Sequence, residues 1–182
     1  YVVNYYESNT VQGYFNILFL PTQVINLLSG FVFKPLLSQY GAAVGERDFI
    51  RFRQLYRRHL FLIGGLTVFC CLAGYLLGTQ VLGLFYAVDL SAYRLELFLT
   101  ILSGGFIAAG SMSYYLLVML RKQMWIFLNY AVNIGIGVVI SVLLVKNFSI
   151  LGGALSILAS QALLFFVFAI FLLFFTRRTS DA

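Results

Sequence analysis

Four amide side chains and one lysine recur along a single apolar stretch near the start of the chain. The stretch QGYFNILFLPTQVINLLSGFVFKPLL covers residues 12–37, and its main polar members are Gln12, Asn16, Gln23, Asn26 and Lys34. At about 100° per residue, these five residues fall within about 40° of one line on a helix. We call these five residues the polar face. Polar groups in a bilayer are costly against lipid and tolerable against protein or a water-filled cavity. The spacing therefore predicts that the polar face points inward.

Two interpretations of the polar face are open. Amides that only join neighbouring helices contribute about 0.6–2 kcal/mol each, and a single amide in a helix would serve that role. Four amides on one line that ends at a cation favour a path for a polar substrate instead. Lys34 by itself is weaker evidence, because a lysine near a helix end often extends its charge to the membrane surface.

Two further amides and one proline belong to the same hypothesis. Asn129 and Asn133 are one turn apart in a later apolar segment, so they are predicted to face the same cavity. Pro21 lies in the middle of the first stretch, where it removes one backbone hydrogen bond. We expect a kink in the helix there, near the middle of the membrane.

Composition places these residues in an integral membrane protein. The chain of 182 residues is 62% hydrophobic and only 10% charged, whereas soluble domains carry about 25% charged residues. An apolar helix of about 20 residues crosses the roughly 30 Å hydrocarbon core of a bilayer. Five segments are long enough to cross: 11–37, 59–86, 93–120, 124–145 and 150–175. The sequence predicts one all-α membrane domain with five transmembrane helices, and it lacks the alternation typical of a membrane barrel.

The distribution of basic residues predicts how these helices are oriented. Ten of the twelve fall on one side of the predicted membrane: Lys34, Arg47, Arg51, Arg53, Arg57, Arg58, Arg121, Lys122, Arg177 and Arg178. The other side has Arg94 and Lys146. Because cytoplasmic loops carry the excess of basic residues, we expect the start of the chain outside and its end in the cytoplasm. The net charge of +6 is thereby explained by topology, and we expect no nucleic-acid partner.

The loop after the first segment has a pattern of its own. In ERDFIRFRQLYRRH, the residues Phe49, Phe52, Tyr56 and His59 lie near one helical face, and arginines surround the rest. This pattern predicts a basic amphipathic helix over about 46–58 that lies at the cytoplasmic surface and is attracted to anionic lipid.

Residue types that perform catalysis do not converge in the sequence. No Asp or Glu lies deep within a segment, and the adjacent Cys70 and Cys71 fit neither a disulfide framework nor a metal-ligand spacing. An enzyme would need a base, a nucleophile or a set of metal ligands. We therefore expect no enzymatic activity and no cofactor, and a coupling ion, H⁺ or Na⁺, is left unassigned.

The first residues, YVVNYY, include neither a methionine nor a signal peptide. Five segments with an external start need an upstream segment that translocates this start. We therefore expect the sequence to be a fragment that lacks at least one preceding helix.

Three stretches of the chain resemble a known family. They are GYFNILFLPTQVINLLSGFVFKPLL with its basic loop, VLGLFYAVDLSAYRLELFLTILSGGFIAAGSMSYYLLVMLRKQ, and LGGALSILASQALL. In spacing and loop character they resemble the second half of bacterial oligosaccharide flippases, the Wzx-type group of the multidrug/oligosaccharidyl-lipid/polysaccharide flippase superfamily. The resemblance covers nearly the whole chain. These flippases handle repeat units of O-antigen lipopolysaccharide and of other polysaccharides.

The resemblance implies a MATE-like transporter with two six-helix lobes, and this chain looks like most of the second lobe. Such proteins move undecaprenyl-diphosphate-linked oligosaccharide across the bacterial cytoplasmic (inner) membrane by alternating access. The implied partners are this lipid-linked substrate, membrane lipids and the missing first lobe. On this basis we hypothesise that Gln12, Asn16, Gln23 and Asn26 contact the glycan, and that Lys34 helps to hold the diphosphate.

Two other functions stay open at this point. A multidrug or metabolite exporter of the same superfamily would share the fold and differ in its cavity, and it would confer drug resistance on expression. A structural membrane subunit would transport nothing, and its polar face would pack only against neighbouring side chains.

Overall fold

The structure is a computed structural model that describes residues 9–178, and within that range it contains helices and no strand. The elements, in chain order, are α1 (Asn9–Phe33), a 3-10 turn (Lys34–Leu36), α2 (Leu37–Gly45), α3 (Phe49–Ala73), a π-helical turn (Gly74–Gly78), α4 (Thr79–Tyr86), a second 3-10 turn (Ser91–Tyr93), α5 (Arg94–Met119) and a long helical run (Gln123–Arg178). Ser149 interrupts the last run with a non-helical backbone, φ 51° and ψ −126°. We call its two arms α6 (residues 123–148) and α7 (residues 150–178).

Four helical stretches are long and apolar enough to cross a membrane. They are Thr10–Gly45, Phe49–Tyr86, Ser91–Met119 and Gln123–Arg177. The all-α class and the presence of membrane-length apolar helices are thus confirmed within the described residues. The predicted count of five, which divides the fourth stretch at 145–150, and the arrangement in two lobes stay predictions.

The fourth stretch folds back on itself at Ser149. The side-chain amide of Asn129 donates to the carbonyl of Leu164 at 3.3 Å, and that of Asn133 donates to the carbonyl of Ser160 at 3.0 Å. The donor number rises from 129 to 133 while the acceptor number falls from 164 to 160, so α6 and α7 are antiparallel neighbours. The turn is tight, because a Cβ added at Gly152 would overlap the backbone carbonyl of Leu144.

Helix α5 packs against α1, α3 and α7, and glycines make the close approaches. A Cβ at Gly104 would lie 3.2 Å from the Cα of Thr22 in α1. A Cβ at Gly105 would overlap the Thr67 side chain of α3, and one at Gly110 would lie 3.5 Å from Leu164 in α7. Small residues are typical of such contacts in membranes, since they let backbones approach closely.

Reciprocal hydroxyl bonds join α1 to α5 at the same level. The Thr22 hydroxyl donates to the carbonyl of Thr100 at 2.6 Å, and the Thr100 hydroxyl donates to the carbonyl of Leu18 at 2.9 Å. Both threonines are fully buried. These two bonds lie next to Pro21, which has no backbone N–H, and they fix α1 against α5 at this level.

The basic segment, predicted as an amphipathic helix over about 46–58, is part of a longer helix. The single helix α3 runs through it from Phe49 to Ala73. Asp48 caps the start, because its carboxylate accepts the backbone N–H of Arg51 at 2.9 Å, and no proline or glycine follows before Gly64. The helix is therefore continuous across the boundary between 58 and 59, and the division into an interfacial segment and a membrane span at that point stays a prediction. The position of this segment relative to a membrane surface stays a prediction.

The apolar side of this segment is buried, as its spacing indicates. Phe49, Phe52, Tyr56 and His59 are all buried. The hydroxyl of Tyr40 in α2 lies 2.6 Å from Nδ1 of His59, and that of Tyr56 lies 2.8 Å from the Ser113 hydroxyl in α5. These contacts fix α2 and the start of α3 against α5.

The hairpin of α6 and α7 offers a stability test with a matched control. Gly152→Ala is expected to lower the free energy of unfolding by about 1–3 kcal/mol, because its Cβ meets backbone that cannot move aside. Gly135→Ala on α6, where a Cβ meets nothing within 4 Å, is expected to be neutral or stabilising by up to about 1 kcal/mol. Reversible unfolding in mixed micelles measures both. Equal stability of the two variants would contradict this hairpin packing.

Candidate functional site

The polar face of α1 lies beside the surface that this helix buries. Leu18, Thr22, Ile25 and Ser29, spaced by three or four residues, are buried against α5 and its neighbours. At 100° per residue, the polar face lies roughly 120° around the helix from this line. Asn16, Gln23 and Lys34 are exposed, whereas Gln12 and Asn26 are half-buried. The five residues share one side of α1, but that side is not its main packing surface.

The polar face is not used to join helices within the described chain. Over residues 9–178, the side chains of Asn16, Gln23, Asn26 and Lys34 make no hydrogen bond and no ion pair. Oε1 of Gln12 is enclosed and has no partner there either. The side chains of Asn16, Gln23, Asn26 and Lys34 are therefore available to water, to a ligand or to another chain, whereas Oε1 of Gln12 is closed off from water.

Asn26 and Lys34 line a cleft between α1 and α5. Its volume is about 230 Å³, and Ser29, Ser111 and Tyr115 add hydroxyl groups to its wall. The hydroxyl of Ser29 is buried without a hydrogen-bond partner. The cleft thus combines an amide, three hydroxyls and a cation, which are groups that bind polar and anionic ligands.

Ser29 was not foreseen from the sequence. It lies on the side of α1 that faces α5, off the line of the polar face, and one small hydroxyl in an apolar helix is a weak signal. Ser111 and Tyr115 join the cleft only because α5 packs beside α1.

Asn129 and Asn133 have a different environment. Both are buried, and both donate to carbonyls of α7 at the distances given above. They are not among the residues that line the cleft of Asn26 and Lys34. These two amides therefore join α6 to α7 and do not line this cleft, and their part in a substrate path stays a prediction.

Pro21 lies inside α1, which is assigned as one helix from Asn9 to Phe33. The predicted kink stays a prediction. Pro21 also lines an apolar groove of about 770 Å³ between α1, the π-helical turn and α5. Gly74 and Gly78 of that turn contact Ile101 and Leu97, where a Cβ would clash, and they set the depth of the groove.

Positive charge gathers at the Lys34 end of the molecule. Phe33, next to Lys34, belongs to an apolar cluster on which Val44 of α2 and Leu120 after α5 also pack. The turns that follow these two residues carry Arg47, Arg121 and Lys122. Among the described residues one ion pair forms, between exposed Arg51 and Glu46 at 3.5 Å. The other cations of this end are uncompensated by carboxylates, so the end favours anionic partners.

Among residues 9–178, no group of three or more His, Cys, Asp or Glu side chains could hold a metal ion.

Comparisons with protein-family models, with curated proteins and with solved structures give no match to this chain. The flippase resemblance therefore depends on the sequence patterns alone, and the functional argument depends on the site geometry.

The two classes of amide are separable by substitution. Asn129→Ala and Asn133→Ala are each expected to lower the free energy of unfolding by about 0.6–1.7 kcal/mol, because each removes a bond between helices. The control Asn16→Ala removes an exposed amide without a partner and is expected to change it by less than about 0.5 kcal/mol. Unfolding in mixed micelles provides the measurement. A cost for Asn16→Ala equal to the others would show that the polar face also joins helices.

Proposed function

We propose that this chain forms one lobe of a membrane transporter that flips undecaprenyl-diphosphate-linked oligosaccharide for polysaccharide or lipopolysaccharide synthesis. The observation that carries the proposal is the polar face of α1. Its amides and lysine are aligned on one side of a membrane-length helix and have no partners within the described chain. Uncompensated polar groups are costly in hydrocarbon, so a hydrated cavity is the environment that suits them.

The chemistry of the polar face suits the head group of such a substrate. Amide groups both donate and accept, so they can replace the water around sugar hydroxyls one bond at a time. The apolar surface of the other helices leaves the lipid tail in the bilayer. In this proposal Gln12, Asn16, Gln23 and Asn26 contact the glycan as it passes.

Lys34 is proposed to hold the diphosphate at the cytoplasmic entrance. A lysine is a compact cation that binds phosphate as a point charge, and Lys34 lines the cleft together with Asn26 and Ser29. The excess of basic residues at this end favours a cytoplasmic location. The chain would then start outside and end inside a bacterial cytoplasmic membrane, with five spans in all.

Transport is proposed to occur by alternating access. A second lobe would face the polar face of α1, and rocking of the two lobes would open the cavity to one side and then the other. Neither lobe needs a covalent step, so no catalytic residue and no cofactor is assigned, and the coupling ion is left open.

A multidrug or metabolite exporter is the second candidate. The observation that favours it is the apolar groove of about 770 Å³ beside Pro21, since drug-sized ligands bind in mostly apolar pockets. Drug resistance on expression, with no change in surface polysaccharide, would select this candidate.

Replacing Lys34 tests the entrance. Lys34→Ala is expected to reduce flipping roughly tenfold, since a lost bond to a charged group costs about 1.5–3 kcal/mol and about 1.4 kcal/mol is tenfold in rate. Lys34→Arg keeps the charge and should retain most of the activity. Surface polysaccharide in a flippase-deficient strain, normalised to membrane protein level, is the measurement. Lys146→Ala, a lysine outside the cleft, is the control, and normal polysaccharide with Lys34→Ala would exclude Lys34 from the mechanism.

Thiol accessibility tests the cavity itself. In a variant whose Cys70 and Cys71 are replaced by alanine, Asn16→Cys and Gln23→Cys should react with a water-soluble maleimide in intact cells or inverted vesicles. Val24→Cys, on the apolar side of α1, should react at least tenfold more slowly, because a thiol needs water to ionise. Equal protection of all three thiols from both compartments would refute the transporter proposal.

A further inference from the structure

A second polar pocket lies at the end of the molecule opposite Lys34. It occupies about 300 Å³ between the end of α4 and the start of α5, and its polar lining residues are Thr79, Gln80, Asp89, Ser91 and Arg94. This pocket contains none of the residues of the polar face or of the Lys34 cleft.

The backbone around the pocket is held in a defined shape. Ala87 ends α4 in the left-handed conformation, φ 51°, which turns the chain back on itself. The N–H of Val88 then donates to the carbonyl of Gly83 at 3.3 Å. A Cβ at Gly83 would lie only 2.9 Å from the Val88 carbonyl, so the close approach depends on glycine. Leu90 is 1% exposed and anchors the loop in the fold.

Thr79 is the most informative residue of the pocket. It is only 5% exposed, yet its hydroxyl makes no hydrogen bond to any part of the chain that the structure describes. Only the oxygens of Gln12 and Ser29 are fully enclosed without a partner among the described residues, so the Thr79 oxygen keeps some accessible surface. Because Thr79 lines the pocket, its hydroxyl is open to water or to a ligand there.

The other polar side chains that line the pocket are exposed and include both donors and acceptors. One carboxylate oxygen of Asp89 accepts the N–H of Ser91 at 2.9 Å, and hydrogen bonds from Ser91 hold the pKa of Asp89 below its usual value. Asp89 is therefore an ionised acceptor at neutral pH. Arg94 supplies donors and is in no ion pair within residues 9–178, and Gln80 offers an amide.

These groups match an uncharged sugar better than an ion. One carboxylate and one guanidinium give the pocket no net charge, so neither a free anion nor a free cation is favoured. A carboxylate accepts from two adjacent hydroxyl groups, a guanidinium donates to ring and hydroxyl oxygens, and Thr79 can do either. The volume of about 300 Å³ suits one saccharide unit rather than a chain.

We infer that the pocket lined by Thr79, Asp89 and Arg94 binds one neutral monosaccharide unit at the end of the polar face remote from Lys34. The pocket lies at the same end of the molecule as Gln12: the ring of Tyr14, which is near Gln12 in α1 but on the side of that helix opposite the polar face, contacts the ring of Tyr93 with centroids 6.0 Å apart. Tyr93 precedes Arg94 in the chain. That the sugar belongs to a lipid-linked glycan leaving the protein rests on the proposed function, whereas the pocket chemistry does not.

Saturation-transfer NMR on the protein in micelles tests this site with free glucose, galactose and N-acetylglucosamine. At least one of these sugars should bind with a millimolar Kd. Thr79→Val keeps the shape of the side chain, and Asp89→Asn keeps an acceptor for the Ser91 N–H, so both variants should fold. Each should weaken binding at least fivefold, and Arg94→Gln likewise. Lys146→Gln is the matched control, because Lys146 is an exposed cation outside the pocket.

Three results would overturn the inference: no sugar binds, the control weakens binding as much as the pocket variants, or glucose 6-phosphate binds more tightly than glucose. The measurement needs no transport, so it separates two failures. Sugar binding without flipping would overturn only the proposed function. Flipping by a protein whose pocket binds none of these sugars would overturn only this site.

Discussion

Hydrocarbon offers no hydrogen bonds, so a polar side chain on a membrane-length helix needs a partner within the protein or in water. Several hydroxyl groups on the membrane-length helices bond to a carbonyl of their own helix, as Thr67 does to Ile63, Ser156 to Gly153 and Thr176 to Leu172. Asn129 and Asn133 reach across to the next helix instead. The amides of α1 have no such partner within the described residues, in contrast to Asn129 and Asn133.

Helix α5 connects the other parts of the fold. Its glycines let α1, α3 and α7 pack close to it. Its Thr100 forms hydrogen bonds with Thr22 and Leu18 of α1, beside Pro21. This contact fixes the rotation of α1 about its axis, since Leu18, Thr22 and Ile25 must face α5. The direction of the polar face follows from that rotation. The glycines of α5 and the accessibility of Asn16 and Gln23 are therefore parts of one geometric arrangement.

The two ends of the molecule differ in charge and in chemistry. The Lys34 end gathers arginines and lysines with a single ion pair among the described residues. The opposite end has a pocket in which one carboxylate and one guanidinium balance each other. In the proposed transporter the first environment suits a diphosphate and the second suits an uncharged sugar. The polar face of α1 extends between them, with Lys34 at one end and Gln12 at the other.

The amino-acid sequence by itself determined the helical class, the membrane-length apolar segments and the alignment of five polar residues on one side of α1. Those properties depend on composition and on the helical period, which are local. Tertiary structure decided which polar side chains form hydrogen bonds between helices. Asn16 and Asn129 are both asparagines in apolar helices, and only the packing of α7 against α6 distinguishes them. It also placed the start of α3 at Phe49 and brought Ser29 and Thr79 to the walls of two pockets. A helical period specifies which residues share a face, but the neighbour of that face depends on contacts between distant segments.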